Sequence, residues 1–331
     1  MKKVSVIILN WNGEAMLRRF LPDVVANTED AIADVIVADN GSDDGSLKYV
    51  RSTFPQVKIL EFDRNYGFAE GYNRALASVA TPLSVLLNSD VAPAAGWLAP
   101  LVRYMDDNQQ CAACQPKILS AENPSVFEFA GAAGGFLDRH GYPYCRGRIF
   151  SHVEPDCGQY DSPIEIDWAS GAALMVRTRL YVEAGGLDAA FFAHMEEIDL
   201  CWRLRLMGYT IAAVPASVVY HLGGGTLPAE NPRKTYLNFR NNLLMLYKNL
   251  PDKGLRRRLV WRRLLDTAAW GMYVVTGKWK FAGAILKAHR DFRKMKKSYA
   301  AIERPADNLL KLRPDILWKY YFLRKKRFSQ L

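Results

Sequence analysis

Residues 86–90 read LLNSD: an apolar run climbs to Leu87 and stops on Asn88-Ser89-Asp90. A buried strand has no reason of its own to end on an amide, a hydroxyl and a carboxylate. The preceding chain repeats the pattern. Residues 4–9 are apolar and β-branched, hence a buried strand. The polar stretch that follows has helical character, which Pro22 should bend or end. DVIVA, residues 34–38, is a second strand that closes on Asp39 and a turn-rich segment with ready helix caps. Residues 57–62 predict a third strand, 68–79 a helix and 83–87 a fourth strand. This rhythm predicts right-handed crossovers and an α/β fold, a mostly parallel central sheet flanked by helices. Ligands of such sheets sit beyond the carboxyl ends of the strands. Asp39 and Asp90 both stand there and should face one crevice.

Farther on, residues 164–177 suggest a hairpin-like pair turning at Ser170-Gly171. Residues 196–207 read as a helix stopped by Gly208. A strand over 210–214 precedes Val218-Val219-Tyr220-His221, and Gly223-Gly224-Gly225 follows.

The 331 residues, half apolar and a quarter charged, suit a globular chain with a sizeable core. Five scattered cysteines (111, 114, 145, 157 and 201) make no disulfide framework and imply a reducing compartment. Cys111-x-x-Cys114 has no second pair nearby and reads as core thiols rather than half a zinc site or a redox pair. The first apolar run is too short for a signal segment, and none is long enough to span a bilayer. A cytoplasmic protein that does not cross the membrane is expected. No G-x-G-x-x-G follows the first strand and no G-x-x-x-x-G-K-[ST] occurs, which weakens dinucleotide and P-loop readings. Charge is uneven: residues 251–331 hold 22 Lys and Arg against 6 Asp and Glu, while residues 1–250 are acidic overall.

Over residues 1–250 the sequence resembles glycosyltransferase family 2, inverting enzymes of the GT-A fold, and most closely its rhamnosyltransferase-like branch. The matching stretches are VSVIILNWNG, VIVADNGSDDGS, RNYGFAEGYNRAL, LLNSD, WASGAALMVRT, GGLDAAFFAHMEEIDLCWRLRLMGY, VVYHLGGGT and RKTYLNFRNNLLMLYKNLP. The resemblance implies a GT-A domain over residues 1–225. A basic helical extension over 226–331 would serve membrane association or dimerisation.

The resemblance also assigns roles. Asp90 would hold Mg²⁺ or Mn²⁺ on the donor diphosphate, with Asn88 where the family motif has its first Asp and Ser89 between them; the plain alternative is a helix cap. An amide there adds no charge, so metal affinity should be modest. Asp39 would accept the N3–H of uracil or thymine, a role compatible with an Asx-turn before Gly41. Leu9 and Trp11 would wall the base, and the loop of Arg64, Asn65, Gly67 and Phe68 would line the nucleotide, with Asn73 supporting it. His221 would join the metal or the diphosphate, against a purely structural alternative. At the family's Glu-Asp-x-Asp motif this chain has Glu196-Glu197-Ile198-Asp199, so Glu197 is the implied base. Glu196 and Asp199 share a helix face with Arg203 and are expected to form a supporting network. The plain alternative for this acidic turn is complementarity to the helix dipole. Asp167 and Trp168 are candidates for shaping the sugar or acceptor pocket.

The expected reaction moves a sugar, L-rhamnose first, from a deoxythymidine-diphosphate donor to a saccharide on a polyprenyl diphosphate, in bacterial surface polysaccharide synthesis. Two readings stay open beside it: a uridine-diphosphate hexose or galactofuranose donor with the same mechanism, and a non-catalytic sugar-nucleotide-binding membrane adaptor. The C-terminal segments interleave Arg and Lys with Trp, Tyr and Phe, which suits an anionic membrane surface, on the inner face of the cell membrane. Homodimerisation is the second use of such a surface. Nucleic acid is not expected, since no nucleic-acid module is visible.

Overall fold

A computed structural model describes residues 2–223, 231–306, 308–310 and 313–331. Its strands are β1 (Val4–Asn10), β2 (Ala33–Asp39), β3 (Lys58–Glu61), β4 (Leu83–Leu87), β5 (Val91–Pro93), β6 (Cys111–Ser120), β7 (Gly135–Leu137), β8 (Pro143–Cys145), β9 (Arg148–Ile149), β10 (His152–Val153), β11 (Ile164–Ile166), β12 (Ala173–Arg177) and β13 (Thr210–His221). The α-helices are α1 (Glu14–Asn27), α2 (Ser46–Thr53), α3 (Gly67–Ala77), α4 (Leu98–Asp107), α5 (Thr178–Glu183), α6 (Glu196–Leu206), α7 (Pro232–Asn249), α8 (Asp252–Val275) and α9 (Trp279–Met295).

The main sheet runs β11-β13-β6-β12-β4-β1-β2-β3, with β5 on β13. β1 pairs in parallel with β2 and β4, β2 with β3, and β13 with β6. β12, β11 and β5 run against their neighbours. The two-residue period of each strand divides the core. Ile7, Ile36 and Leu86 face one layer with α3, α6 and α7. Val6, Ile8, Val37, Val85 and Leu87 face the other, with α1 and α4. A smaller antiparallel sheet, β10-β9-β8-β7, lies beside it.

Three local expectations need correction. α1 runs through Pro22 rather than ending there, because Leu17, Phe20, Leu21 and Val24 are all buried along it. Residues 164–177 are not a hairpin: β6 and β13 stand between β11 and β12. Alternation identified both strands, but β12 finds its apolar partners in β4 and β6. The connection therefore carries Ser170-Gly171 across the sheet's end instead of looping at an edge. Residues 210–221 form one strand, with an irregularity between Val214 and Val218.

The expected boundary between residues 225 and 226, with Gly224 and Gly225, lies outside the described residues. The hydrophobic core runs past it: Leu243, Phe292, Leu310 and Ile316 belong to the layer that holds Ile7 and Leu86. Phe328 lies 5.0 Å from Phe136 and 5.9 Å from Tyr160. Among the described residues no helix is long and apolar enough to cross a membrane. All five cysteines are free, and Cys111 and Cys114 are buried in the core.

Candidate active site

At the carboxyl end of β2, Asp39 is buried. Its Oδ1 accepts from Asn10 Nδ2 (2.8 Å) and the Ser42 hydroxyl (2.6 Å), and its Oδ2 accepts from the Ser42 backbone N–H (2.9 Å). This is the Asx-turn geometry, and it leaves acceptor capacity on Oδ2. Gly41 has φ of +73°, and a Cβ there would stand 2.5 Å from the Arg64 backbone. Only glycine lets the β2 loop meet the loop before α3 so closely. Asn40 fastens the two: its Nδ2 donates to Asn65 Oδ1 (3.1 Å) and the Gly67 carbonyl (3.0 Å), and its Oδ1 accepts from the Tyr66 N–H (2.9 Å). Leu9 is half-buried and Trp11 exposed at the adjoining end of β1. Arg64 is exposed, its guanidinium over the Tyr66 ring.

Across β1, the Tyr72 hydroxyl donates to the Leu87 carbonyl (2.9 Å) and so supports the end of β4 from below. The Asn88 N–H donates to the Ala172 carbonyl (3.0 Å), which joins this end to the Ser170-Gly171 crossing. Ser89 is half-buried beside it. Asp90 is buried, with Oδ1 3.1 Å from His221 Nε2. His221 Nδ1 stands 3.4 Å from Glu128 Oε2 and makes no hydrogen bond. Burial alone would lower the imidazole's pKa, but the flanking Asp90 and Glu128 carboxylates outweigh it and raise the value to about 10.

A divalent cation fits this donor set in one way. Among the described residues no three or more His, Cys, Asp or Glu side chains gather as a metal cage. An ion here must displace the proton that Asp90 and Glu128 keep on His221; Asp90 with the freed imidazole then suits a cation that takes its remaining oxygens from a diphosphate and water.

The acidic start of α6 closes the far side. A Cβ on Gly171 would lie 3.7 Å from both Glu197 Cβ and the Phe68 ring. The Ser170-Gly171 crossing, the start of α3 and the start of α6 thus meet at one place. Gly67, with φ of +79°, leaves room for the Phe192 ring there. Burial lifts the Glu197 carboxyl to about 7, against lowering contacts from backbone N–H groups of its own turn, and Glu197 Oε2 has no hydrogen-bond partner. Burial, reinforced by Glu197, holds Glu196 well above the usual carboxylate range.

The supporting network differs from the expected one. Asp199 does pair with Arg203 (2.9 Å), but its other partners are Lys248 (2.9 Å) and Asn249 (2.8 Å) of α7. Glu196 is not in it: its Oε2 is buried without a partner. Burial would raise Asp199, but the Arg203 and Lys248 cations outweigh it and hold the group below its ordinary value.

Asp167 and Trp168 lie inside the protein. Asp167 is paired with Arg205 (2.6 Å) and Arg313 and accepts from the Leu137 N–H (2.9 Å), and Trp168 Nε1 donates to the Phe136 carbonyl (3.0 Å). Asn73 holds the chain at Leu187, donating to its carbonyl (2.8 Å) and accepting from its N–H (2.9 Å), not the loop at 64–68. The structure thus brings Asp39, Asn65, Phe68, Asn88, Asp90, Glu197 and His221 to one end of the sheet. Sequence reasoning missed Asn10, Asn40 and Ser42, which hold Asp39 and its loop, and Glu128 behind His221. Only the polar ends of β1 and β2 signalled any of these.

Comparison with known proteins agrees with the fold. Residues 5–128 match the model of glycosyl transferase family 2. An N-acetylglucosaminyl-diphospho-decaprenol L-rhamnosyltransferase of Mycobacterium tuberculosis is 27% identical over 246 residues, which cover 66% of this chain and 75% of that protein. The mannosyltransferase PcManGT of Pyrobaculum calidifontis, solved with GDP-Man and Mn²⁺, has 15% identity and a TM-score of 0.56, covering 89% of this chain and 88% of that one. GalNAc-T7, solved with UDP, GalNAc and Mn²⁺, has 17% identity and a TM-score of 0.59; the match covers 76% of this chain but only 49% of that one. The chain is a glycosyltransferase of the GT-A fold, and its match to glycosyl transferase family 2 covers residues 5–128.

Proposed function

We propose that the protein moves L-rhamnose from dTDP-L-rhamnose to a saccharide carried on a polyprenyl diphosphate, with inversion at the anomeric carbon. The donor's base lies against Asp39, within the loops of Leu9, Trp11 and residues 64–68. Asp90 and His221 would hold a divalent cation, Mg²⁺ or Mn²⁺, which would supply charge stabilisation to the departing diphosphate. Glu197 accepts the proton of the acceptor hydroxyl as its oxygen bonds to the anomeric carbon. The bond from that carbon to the diphosphate oxygen breaks, and its electron pair leaves with the diphosphate. One carboxylate suffices, because the leaving group needs no protonation.

The observation that carries this reading is the position and state of Glu197. It adjoins Gly171 and Phe68 at the carboxyl end of the sheet, has an oxygen without a partner, and has a pKa of about 7. A general base works best with a pKa near the operating pH. The name of the Mycobacterium relative supports the choice of donor sugar and lipid-linked acceptor.

A membrane-facing role for the C-terminal helices fits their surface. Trp261, Trp279, Trp318 and Phe322 are exposed among Arg and Lys. A cleft of about 410 Å³ among α7, α8 and α9 has Leu243, Leu259 and Phe292 on its wall and Arg256, Arg263 and Arg293 at its rim. Such an amphipathic surface suits the anionic inner face of the cell membrane.

The test is Glu197→Gln. Transfer should fall by about 10²–10⁴-fold while dTDP binding persists. Unchanged transfer rejects Glu197 as the base. A thermal-shift panel of sugar nucleotides, with and without Mn²⁺, identifies the donor. A larger shift with a UDP-sugar than with dTDP-rhamnose overturns the donor assignment.

A further inference from the structure

The segment leading into α6 has an unusual backbone. Phe192, His194 and Met195 have φ of +66°, +70° and +74°, in the left-handed region that side chains disfavour. Met195 is the residue directly before Glu196 and Glu197. A conformation of this kind persists only where its surroundings hold it.

One side chain of α7 holds it. Asn241 is fully buried, and its Nδ2 lies 3.0 Å from the Phe191 carbonyl, 2.9 Å from that of Ala193 and 2.7 Å from that of His194. The left-handed turns aim these three oxygens at one amide. Asn241 is itself oriented: Arg240 Nε donates to its Oδ1 (2.8 Å), so the Nδ2 end faces the loop. The same guanidinium donates through Nη2 to the Ala190 (3.1 Å) and Phe191 (2.8 Å) carbonyls. Two turns later along α7, Lys248 and Asn249 grip Asp199, inside α6. α7 therefore holds both the approach to α6 and its first turn.

We infer that Arg240 and Asn241 are positioning residues for the base, fixing the left-handed approach to α6 and thereby the place of the Glu197 carboxylate. The inference rests on the reading of Glu197 as base. Neither residue touches the reacting atoms. They act by saturating carbonyls that a relaxed loop would turn elsewhere, and a relaxed loop would swing the start of α6 away from Gly171 and Phe68.

Asn241→Asp is the sharpest test, because it keeps the shape and replaces the donor with an acceptor. Three readouts are taken on the full chain: backbone hydrogen exchange over residues 191–197, dTDP–Mn²⁺ affinity, and the pH dependence of turnover. The inference predicts faster exchange confined to that segment and nucleotide affinity within about twofold of wild type. It predicts kcat lower by about 10²-fold, the scale of a small misplacement of a reacting group. The acidic limb of the pH profile should move toward ordinary carboxylate values as Glu197 gains water. Arg240→Lys, which keeps a donor and a charge, should show the same changes to a smaller extent and serves if Asn241→Asp does not fold. Unaltered exchange over 191–197, or activity lost only in proportion to folded protein with an unmoved limb, overturns the inference. Glu197→Gln separates the two claims. If it retains wild-type turnover, the base assignment fails while the exchange result still decides the brace.

Discussion

In the proposed mechanism Glu197 works by being a poor carboxylate. Burial favours its protonated form, so turnover should rise with pH through a midpoint near 7. The same shift bears on stability. The folded-state value lies above the 4.5 of a free glutamate, so stability present below about 4.5 is lost as pH rises through about 7. Glu197→Gln removes that loss. Its Tm should match wild type at pH 4 and exceed it by about 2 °C or more at pH 8; a lower Tm at pH 8 contradicts the burial argument. Asp90→Asn should abolish the tightening of dTDP binding by Mn²⁺, measured by calorimetry with and without chelator. Tightening equal to wild type removes Asp90 from the metal site. Asp39, Asp90 and His221 were legible as candidates because each closes a strand, and the acids of α6 because they resemble a family motif. Glu128 and Asn241 were not. Each meets its partner across a long stretch of chain, and a local pattern carries no trace of such a meeting.

Among the elements, α6 and α7 form the working pair. Asp199 is fully buried with Arg203, Lys248 and Asn249 around it, and Lys248 also reaches Asp188 (2.6 Å). Removing one member strands a buried charge. Lys248→Met should cost about 3 kcal/mol in chemical denaturation; a cost below about 1 kcal/mol would mean the pair is solvated. The elements themselves were largely readable. The first four strands and the helices expected over 68–79 and 196–207 appear within a residue or two of their expected bounds. What alternation cannot give is a strand's partner, as the false hairpin at 164–177 illustrates: the period places side chains on faces but says nothing of who stands beside the strand. That error matters, because the true crossing brings Gly171 to Glu197.

At the scale of the molecule, the change in charge near residue 250 is not a boundary of the core. Ile316 and Leu310 are buried with the body, and Arg313 pairs with Asp167. Composition revealed the basic surface; the contacts that bury its other side come from single residues spread over a long tail. Membrane association is therefore best tested by surface substitution instead of truncation. Trp279→Ser with Trp318→Ser should reduce flotation with phosphatidylglycerol vesicles several-fold and leave Tm unchanged; undiminished flotation rules out these aromatics as anchors. The central claim is that separate strand ends and the start of α6 grip one sugar nucleotide between them. The most direct measurement is a crystal structure with dTDP and Mn²⁺. The account predicts thymine hydrogen-bonded to Asp39, the ion bridging the diphosphate to Asp90 and His221, and Glu197 facing the vacant sugar position. A nucleotide bound elsewhere, or Glu197 turned away from that position, contradicts it.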